Sequence, residues 1–84
     1  MFYVYILKSQ KDNKLYIGYT NNLRKRFEEH NQRKSFATKV RVPFRLLYYE
    51  AYLAEADAKR REKFFKTGWG RNYIKRNLKS TLLI

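Results

Sequence analysis

The sequence contains no cysteine and a single histidine, His30, among its 84 residues. The lack of cysteine excludes disulfide bonds, thiolate metal sites and a cysteine nucleophile, and it is compatible with a reducing compartment. A single histidine excludes every metal site that needs two imidazoles. The apolar opening, residues 1–7, is far shorter than the roughly 20 residues of a membrane span and lacks the basic start of a secretory signal. We therefore expect a cytoplasmic protein without a membrane partner.

Acidic residues are also scarce. Seven Asp and Glu stand against 20 Lys and Arg, which gives a formal net charge of +13. Such a charge on so small a body creates a positive field over most of the surface and favours polyanions as partners. Hydrophobic residues make up 44% of the chain and aromatic residues 18%, which is enough to fold. At this length we expect one domain, spanning residues 1–84.

Local patterns predict an α+β fold with elements in the order β-β-α-β-α-α. The first two strands are rich in aromatic and β-branched residues and flank a polar stretch, as is typical of a hairpin. Both faces of the first strand are apolar, so we expect both to be covered. Asn21 or Asn22 is expected to cap the first helix, and Gly68 and Gly70 to separate the last two. The expected elements are strands over residues 2–7, 15–19 and 44–52 and helices over residues 23–31, 53–66 and 71–79, with a basic loop over residues 32–42.

Helical periodicity places Arg26 and His30 together on the inner edge of the first helix, whereas Glu28 and Glu29 face solvent. A cation four residues before an imidazole, both turned toward the sheet, could converge on a phosphate. Arg26 would then be a bidentate clamp and His30 a donor or proton carrier. The alternative is that Arg26 extends along an apolar surface to solvent and that His30 is a half-buried histidine with satisfied hydrogen bonds.

Elimination leaves Glu50 and Glu62 as acids that could carry chemistry, because the other five fit a turn, solvent or the first turn of a helix. Glu62 borders the apolar side of its helix, but Arg61 lies deeper, so periodicity alone does not select Glu62. The alternative is a surface carboxylate paired with a neighbouring cation. A single carboxylate can still hold Mg²⁺ where the ion keeps most of its waters and is completed by substrate phosphates.

Four of the eight tyrosines, Tyr3, Tyr5, Tyr16 and Tyr19, lie on the predicted hairpin. Tyr3 and Tyr5 share one face of the first strand because side chains alternate. Their phenols could align or deprotonate a water beside a metal-bound phosphate. Alternatively, the rings are core and stacking surface.

These residues stand in an order and at a spacing that resemble the GIY-YIG nuclease superfamily over nearly the whole chain. Tyr3-Val4-Tyr5 resembles the first triplet of the family, and Tyr16-Ile17-Gly18 is identical to the second. The run from Tyr16 to Asn31, with Arg26 and His30, resembles its most specific block, and Glu62 follows at the family spacing. Residues 42–50 and 58–63 further resemble the small stand-alone members, which consist of the nuclease module alone.

The resemblance implies a three-stranded antiparallel sheet flanked by helices and cleavage of phosphodiester bonds with one divalent metal, Mg²⁺ or Mn²⁺. By position, it implies that Tyr5 and Tyr16 line the site, that Arg26 holds the scissile phosphate, that His30 assists proton movement and that Glu62 ligates the metal. The attacking water would be activated by Tyr16, or by His30 through a relay. We expect the partner to be nucleic acid, with DNA as the substrate. The exposed cations expected to contact it are Arg24, Lys39, Arg41, Lys66 and Arg71.

The sequence departs from the family at two places. Tyr3 stands where the first triplet has glycine, with Val4 in place of isoleucine. The usual Asn-Pro-x-Trp ending is absent, and Asn72 and Asn77 both compete for the role of the family's late asparagine. The alternative function is therefore a non-catalytic nucleic-acid-binding module that retains the fold and could use a protein partner for recognition. A basic structural protein is a third hypothesis, which explains the charge but not the inward polar residues.

Overall fold

A three-stranded antiparallel sheet in the order β2-β1-β3 organises the chain. The computed structural model describes all 84 residues. Its elements are β1 (Phe2–Ser9), β2 (Leu15–Thr20), α1 (Leu23–Asn31), β3 (Phe44–Tyr52), α2 (Glu55–Phe65) and α3 (Gly68–Asn77), followed by a 3₁₀ turn over Thr81–Leu83. The predicted class and element order are confirmed. None of the helices combines the length and the apolar character that crossing a bilayer requires.

The central strand, β1, is buried on both faces, as its apolar pattern predicts. Val4 and Ile6 pack against α2 and α3 on one face, and Tyr5 and Leu7 pack against Phe44 and α1 on the other. Burying a large apolar side chain contributes about 2 kcal/mol each. The sheet therefore separates two small cores, and the side-chain chemistry of the two faces can differ.

Both ends of α1 are fixed by hydrogen bonds. At its start, Asn22 Oδ1 accepts a hydrogen bond of 3.1 Å from the backbone N–H of Lys25, which identifies Asn22 as the cap. At its end, Arg33 has a φ of 63°, and the N–H groups of Arg33 and Lys34 donate to carbonyls of the last turn. Glycine usually occupies this left-handed position, so its absence leaves the end of α1 without the usual sequence signal.

The junction between α2 and α3 is tighter than the sequence predicts. The predicted helix over residues 71–79 is wrong at its start, because α3 begins at Gly68. Thr67 Oγ1 caps it by accepting a hydrogen bond of 3.1 Å from the N–H of Gly70. Gly70 is buried directly against α2, where a Cβ atom would overlap the carbonyl oxygen of Phe64. Gly70 permits close packing of α3 against α2, and neither Gly68 nor Gly70 interrupts the helix.

Replacing Gly70 with alanine is expected to destabilise the protein by about 2–3 kcal/mol, because the methyl group would overlap backbone atoms of α2 that cannot move away. The matched control is Gly68→Ala in the same helical turn, where an added Cβ meets nothing within 4 Å. That variant should be neutral or more stable by up to about 1 kcal/mol. Urea unfolding followed by far-UV circular dichroism measures both, and equal stabilities of the two variants would contradict the packing argument.

Candidate active site

Tyr5, Tyr16 and His30 form an aromatic cluster on the face of the sheet that α1 covers. The ring centroids of Tyr16 and His30 lie 5.1 Å apart, and those of Tyr5 and Tyr16 lie 6.4 Å apart. Tyr5 is 1% exposed and His30 is fully buried. The fold thus brings residues from β1, β2 and α1 into one contact group, and three of the five predicted catalytic residues belong to it.

A chain of buried hydrogen bonds runs from Tyr5 into the loop after α1. Tyr5 Oη lies 2.8 Å from His30 Nε2, and His30 Nδ1 lies 2.7 Å from Thr38 Oγ1. Thr38 is itself fully buried. Both imidazole nitrogens therefore have partners inside the protein. Sequence reasoning missed Thr38, because a threonine in a basic loop carries no signal until the position of His30 is known.

Burial keeps the Tyr5–His30 pair uncharged at neutral pH. Burial, with the nearby charge of Arg26 as the second cause, lowers the pKa of His30 to about 4. Burial, followed by the proximity of Tyr16, raises the pKa of Tyr5 to about 12, although Arg26 opposes this shift. His30 is thus a neutral imidazole and Tyr5 a neutral phenol. A proton can pass between them along their hydrogen bond.

Gly18 provides the space that the Tyr5 ring occupies. The two residues are cross-strand partners in the β1–β2 register. A Cβ atom at position 18 would overlap the phenol oxygen and ring of Tyr5. The glycine of the Tyr16-Ile17-Gly18 triplet therefore determines where the phenol lies.

Arg26 lies at the rim of the cluster, with 33% of its side chain exposed. Its guanidinium is 3.3 Å from Glu29 Oε1 and 3.4 Å from Ser35 Oγ. The prediction that Glu29 faces solvent is wrong, because its side chain turns along α1 to pair with Arg26 one turn earlier. The guanidinium is held on one side and open to solvent on the other, which leaves it able to bind a phosphate.

Glu62 lies on α2. Its charge is the smallest of the three causes that raise the pKa of Tyr5, after burial and Tyr16, so the phenol lies within range of that charge. Lys66, one turn further along α2, holds the carboxylate at 3.0 Å, and 26% of the Glu62 side chain is exposed. The surface ion pair that the sequence analysis kept as an alternative is therefore present, and it lies beside the cluster.

Glu50, the other acid left open by the sequence, lies on the opposite face of the sheet. It accepts hydrogen bonds from Arg61 at 2.9 and 3.2 Å, from Tyr48 at 2.6 Å and from Tyr52 at 2.5 Å. Burial by itself would raise the pKa of Glu50, but these hydrogen bonds lower it. Glu50 links β3 to α2 on the far side of the sheet. Of the two acids, Glu62 is the one whose charge acts on the aromatic cluster.

The cations expected to bind nucleic acid differ in the contacts that they already make within the protein. Arg41 Nε pairs at 2.9 Å with an acid of the hairpin turn, and Lys39 lies 4.7 Å from an aromatic ring centroid. Lys66 holds Glu62. Arg24 and Arg71 are exposed and form no ion pair. Of the predicted contacts, Arg24 and Arg71 are the most available to a ligand.

Neither candidate for the late asparagine is hydrogen-bonded to the cluster. Asn77 Nδ2 donates to the carbonyl of Tyr73 at 2.9 Å within α3. Asn72 is exposed on the same helix. The asparagine role stays a prediction for both residues.

The acids present fit a hydrated metal ion and not a cage built from protein ligands alone. No group of three His, Cys, Asp or Glu side chains lies together in the protein. Mg²⁺ keeps several waters and commonly takes one or two carboxylates together with substrate phosphates. The partly exposed Glu62 carboxylate, near the same phenol as Arg26, meets that requirement.

Comparison with known proteins identifies the family. The sequence model of the GIY-YIG catalytic domain matches residues 1–77. The chain belongs to the GIY-YIG family. Among relatives, a UPF0213 protein of Staphylococcus haemolyticus is 47% identical over 66 residues, covering 77% of this chain and 79% of the relative. A UPF0213 protein of Clostridium perfringens is 45% identical over 67 residues, with coverage of 79% and 71%.

A solved structure supports the same assignment. The solution NMR structure of a UPF0213 protein from Bacillus halodurans has a TM-score of 0.55 and 32% identity, covering 88% of this chain and 82% of that one. The resemblance to small single-domain GIY-YIG proteins is confirmed. Tyr3, where the GIY-YIG triplet has glycine, continues β1 in register with Thr20 and Ala51, so this departure leaves the strand intact.

The lowered pKa of His30 predicts an acid-sensitive fold. The unfolded state binds a proton near pH 6.5 and the folded state only near pH 4, so stability falls as the pH drops through this window. Between pH 7 and pH 5 the loss should be about 2 kcal/mol, before most carboxylates titrate. Urea unfolding at the two pH values measures it. The His30→Gln variant should be less stable than the wild type at pH 7, and its free energy of unfolding should barely change between pH 7 and pH 5. A pH dependence equal to that of the wild type would contradict the assignment of this effect to His30.

Proposed function

We propose that the protein is a divalent-metal-dependent endonuclease that hydrolyses phosphodiester bonds in DNA. The observation that carries this proposal is the arrangement around the Tyr5 phenol. The charges of Arg26 and Glu62, both partly exposed, act on it, and the buried, neutral His30 is hydrogen-bonded to it. A cation, a carboxylate and a proton-transfer pair close to one another are the groups that phosphodiester hydrolysis requires.

Arg26 and Glu62 bind and orient the substrate. The exposed side of the Arg26 guanidinium takes the scissile phosphate, and its two N–H groups neutralise charge on the phosphoryl oxygens. Glu62 holds the divalent ion, Mg²⁺ or Mn²⁺. When bound, such an ion neutralises the charge that develops on the phosphate and the leaving oxygen. Lys66 holds the Glu62 carboxylate in an ion pair of 3.0 Å.

The Tyr5–His30–Thr38 chain removes the proton from the attacking water. With Nδ1–H donating to Thr38 Oγ1, His30 Nε2 accepts the hydrogen bond from Tyr5. As the water oxygen attacks phosphorus, its proton passes to Tyr5 Oη while the Tyr5 proton passes to His30. The bond from phosphorus to the leaving oxygen breaks, and the leaving oxygen takes a proton from solvent. A phosphate bound at Arg26 favours the imidazolium by adding negative charge nearby, so the base strength of His30 rises when substrate is present. Tyr16, beside the imidazole, positions the water.

Substrate capture rests on the surplus of positive charge. The net charge of +13 draws DNA to the surface, and the exposed Arg24 and Arg71 provide phosphate contacts. Lys39 and Arg41 are proposed as further contacts, although both also bind within the protein. Because these contacts neutralise phosphates, they position the strand without reading its sequence.

Glu62→Gln is expected to reduce DNA cleavage by roughly 10²–10³-fold, because the amide cannot replace the carboxylate as a metal ligand. Gel-based cleavage of labelled single-stranded, duplex, flap and fork oligonucleotides with Mg²⁺ or Mn²⁺ measures the rate. Glu28→Gln, which neutralises an exposed acid of α1, is the matched control and should cut like the wild type. Wild-type cutting by Glu62→Gln would refute the metal role. Binding without cleavage by the wild type would favour the non-catalytic module.

The two tyrosines are expected to differ in their contribution to the rate. Tyr5→Phe breaks the relay and should lower the cleavage rate by about 10²-fold, whereas Tyr16→Phe should lower it by less than about tenfold. Single-turnover cleavage at saturating protein separates these effects from binding. The reverse order, with Tyr16→Phe the slower enzyme, would assign the base to Tyr16 and contradict the relay through Tyr5.

A further inference from the structure

A groove beside the aromatic cluster lies between β2, α3 and the C-terminal 3₁₀ turn. It has a volume of about 460 Å³, within the range of small-ligand sites. We call it the β2–α3 groove. It is lined by Leu15, Tyr16, Ile17, Lys66, Arg71, Ile74, Lys75 and Leu82.

The walls of the β2–α3 groove are fixed by packing and hydrogen bonds. Ile74, at its base, is 2% exposed and belongs to the core. Leu82, at its C-terminal wall, is held through its backbone, because its N–H donates to the Leu78 carbonyl at 2.9 Å and its carbonyl accepts from Lys8 Nζ at 3.2 Å. The groove is therefore preformed, and a ligand would not have to order it.

Two of the three cations around the groove, Arg71 and Lys75, have no acidic partner, whereas Lys66 pairs with Glu62 at 3.0 Å. Lys66, Arg71 and Lys75 stand at its rim, and none of the seven acidic residues lines it. Arg71 and Lys75 are four residues apart on α3, so they project from one face, and neither forms an ion pair. Cations around an apolar floor match a ligand that carries both an anion and a flat apolar surface.

The groove is continuous with the site of the proposed function. Tyr16 belongs to both, and Lys66 at the rim holds Glu62. A strand whose phosphate lies at Arg26 would thus pass next to this groove. The occupant with an anion, an apolar face and a connection to that phosphate is the neighbouring nucleotide of the same strand.

We propose that the β2–α3 groove binds the nucleotide that flanks the scissile phosphate. Its own phosphate lies on Arg71 and Lys75, and its sugar and base lie on the floor formed by Leu15, Ile17 and Leu82. Lys75, which the sequence did not single out, thereby becomes a binding residue. The inference rests on the proposed function and deepens it by giving one flank of the substrate a defined site.

Binding measurements test the rim. In the Glu62→Gln background, fluorescence anisotropy with a labelled oligodeoxynucleotide is recorded over a range of salt concentrations. Arg71→Ala and Lys75→Ala should each weaken binding by roughly fivefold and reduce the slope of log affinity against log salt by about one. The controls are Lys63→Ala and Arg76→Ala, which remove exposed cations of α2 and α3 outside the groove. Equal losses in all four variants would show only a general positive field and overturn the proposal.

Two further measurements test the floor. Leu82→Ser removes apolar surface without charge and should weaken binding by about threefold while leaving the salt slope unchanged. In ¹H–¹⁵N NMR spectra, adding the unlabelled oligonucleotide should shift the amides of Leu15, Ile17 and Leu82. Shifts confined to the separate groove around Arg24 and Tyr49 would overturn the assignment.

The outcomes separate this inference from the proposed function. If the wild type cuts DNA while the groove variants bind as tightly as the controls, the groove assignment fails and the nuclease remains. If the groove variants lose affinity while the wild type cuts no substrate, the nuclease fails and the groove remains a nucleotide site.

Discussion

The contact between the Tyr5 ring and the bare backbone of Gly18 is the constraint on which the site depends. Because β1 and β2 pair in a register that sets these residues opposite each other, any side chain at position 18 would push the phenol off the sheet. The phenol would then leave the nitrogen of His30, whose own position is fixed by Thr38. A buried imidazole without that partner would lose a hydrogen bond that water cannot replace. The absence of a side chain at position 18 thus allows the observed arrangement of residues from β1, β2 and α1.

The opposite face of the sheet contributes to the same site through α2. Glu50 binds Arg61, whose guanidinium also lies 4.5–5.0 Å from three aromatic ring centroids. Buried ion pairs are weak evidence for stability, and their better-supported role is to fix register. Here the pair fixes the rotation of α2 about its axis. Glu62 follows Arg61 by one residue, about 100° further around the helix, so the two side chains leave α2 in different directions.

The sequence predicted those features that one element determines alone. The apolar faces of β1, a helix cap at Asn21 or Asn22 and the shared edge of Arg26 and His30 depend only on alternation, local hydrogen bonding or helical period. The sequence could not decide between Glu50 and Glu62, because helical periodicity gives the direction of a side chain around its helix but not the residue that the side chain contacts. Thr38 and the packed Gly70 were missed for the same reason, since their roles exist only once a second element is in place. The family resemblance supplied the choice of Glu62 that the residues themselves left open.

The few acids of this chain act as local anchors and do not balance its charge. Six of the seven pair with one cation each, which leaves fourteen cations without a carboxylate partner. The anchored cations include Arg26, Arg61 and Lys66, which set the site, whereas Arg24, Arg71 and Lys75 keep their charge for an external ligand. Self-repulsion among the unpaired cations opposes the compact state. A polyanion that binds the folded protein relieves this repulsion, so substrate binding and folding favour each other. In the proposed function, the surplus of charge that opposes folding of the free domain is the same property that would hold a phosphate backbone.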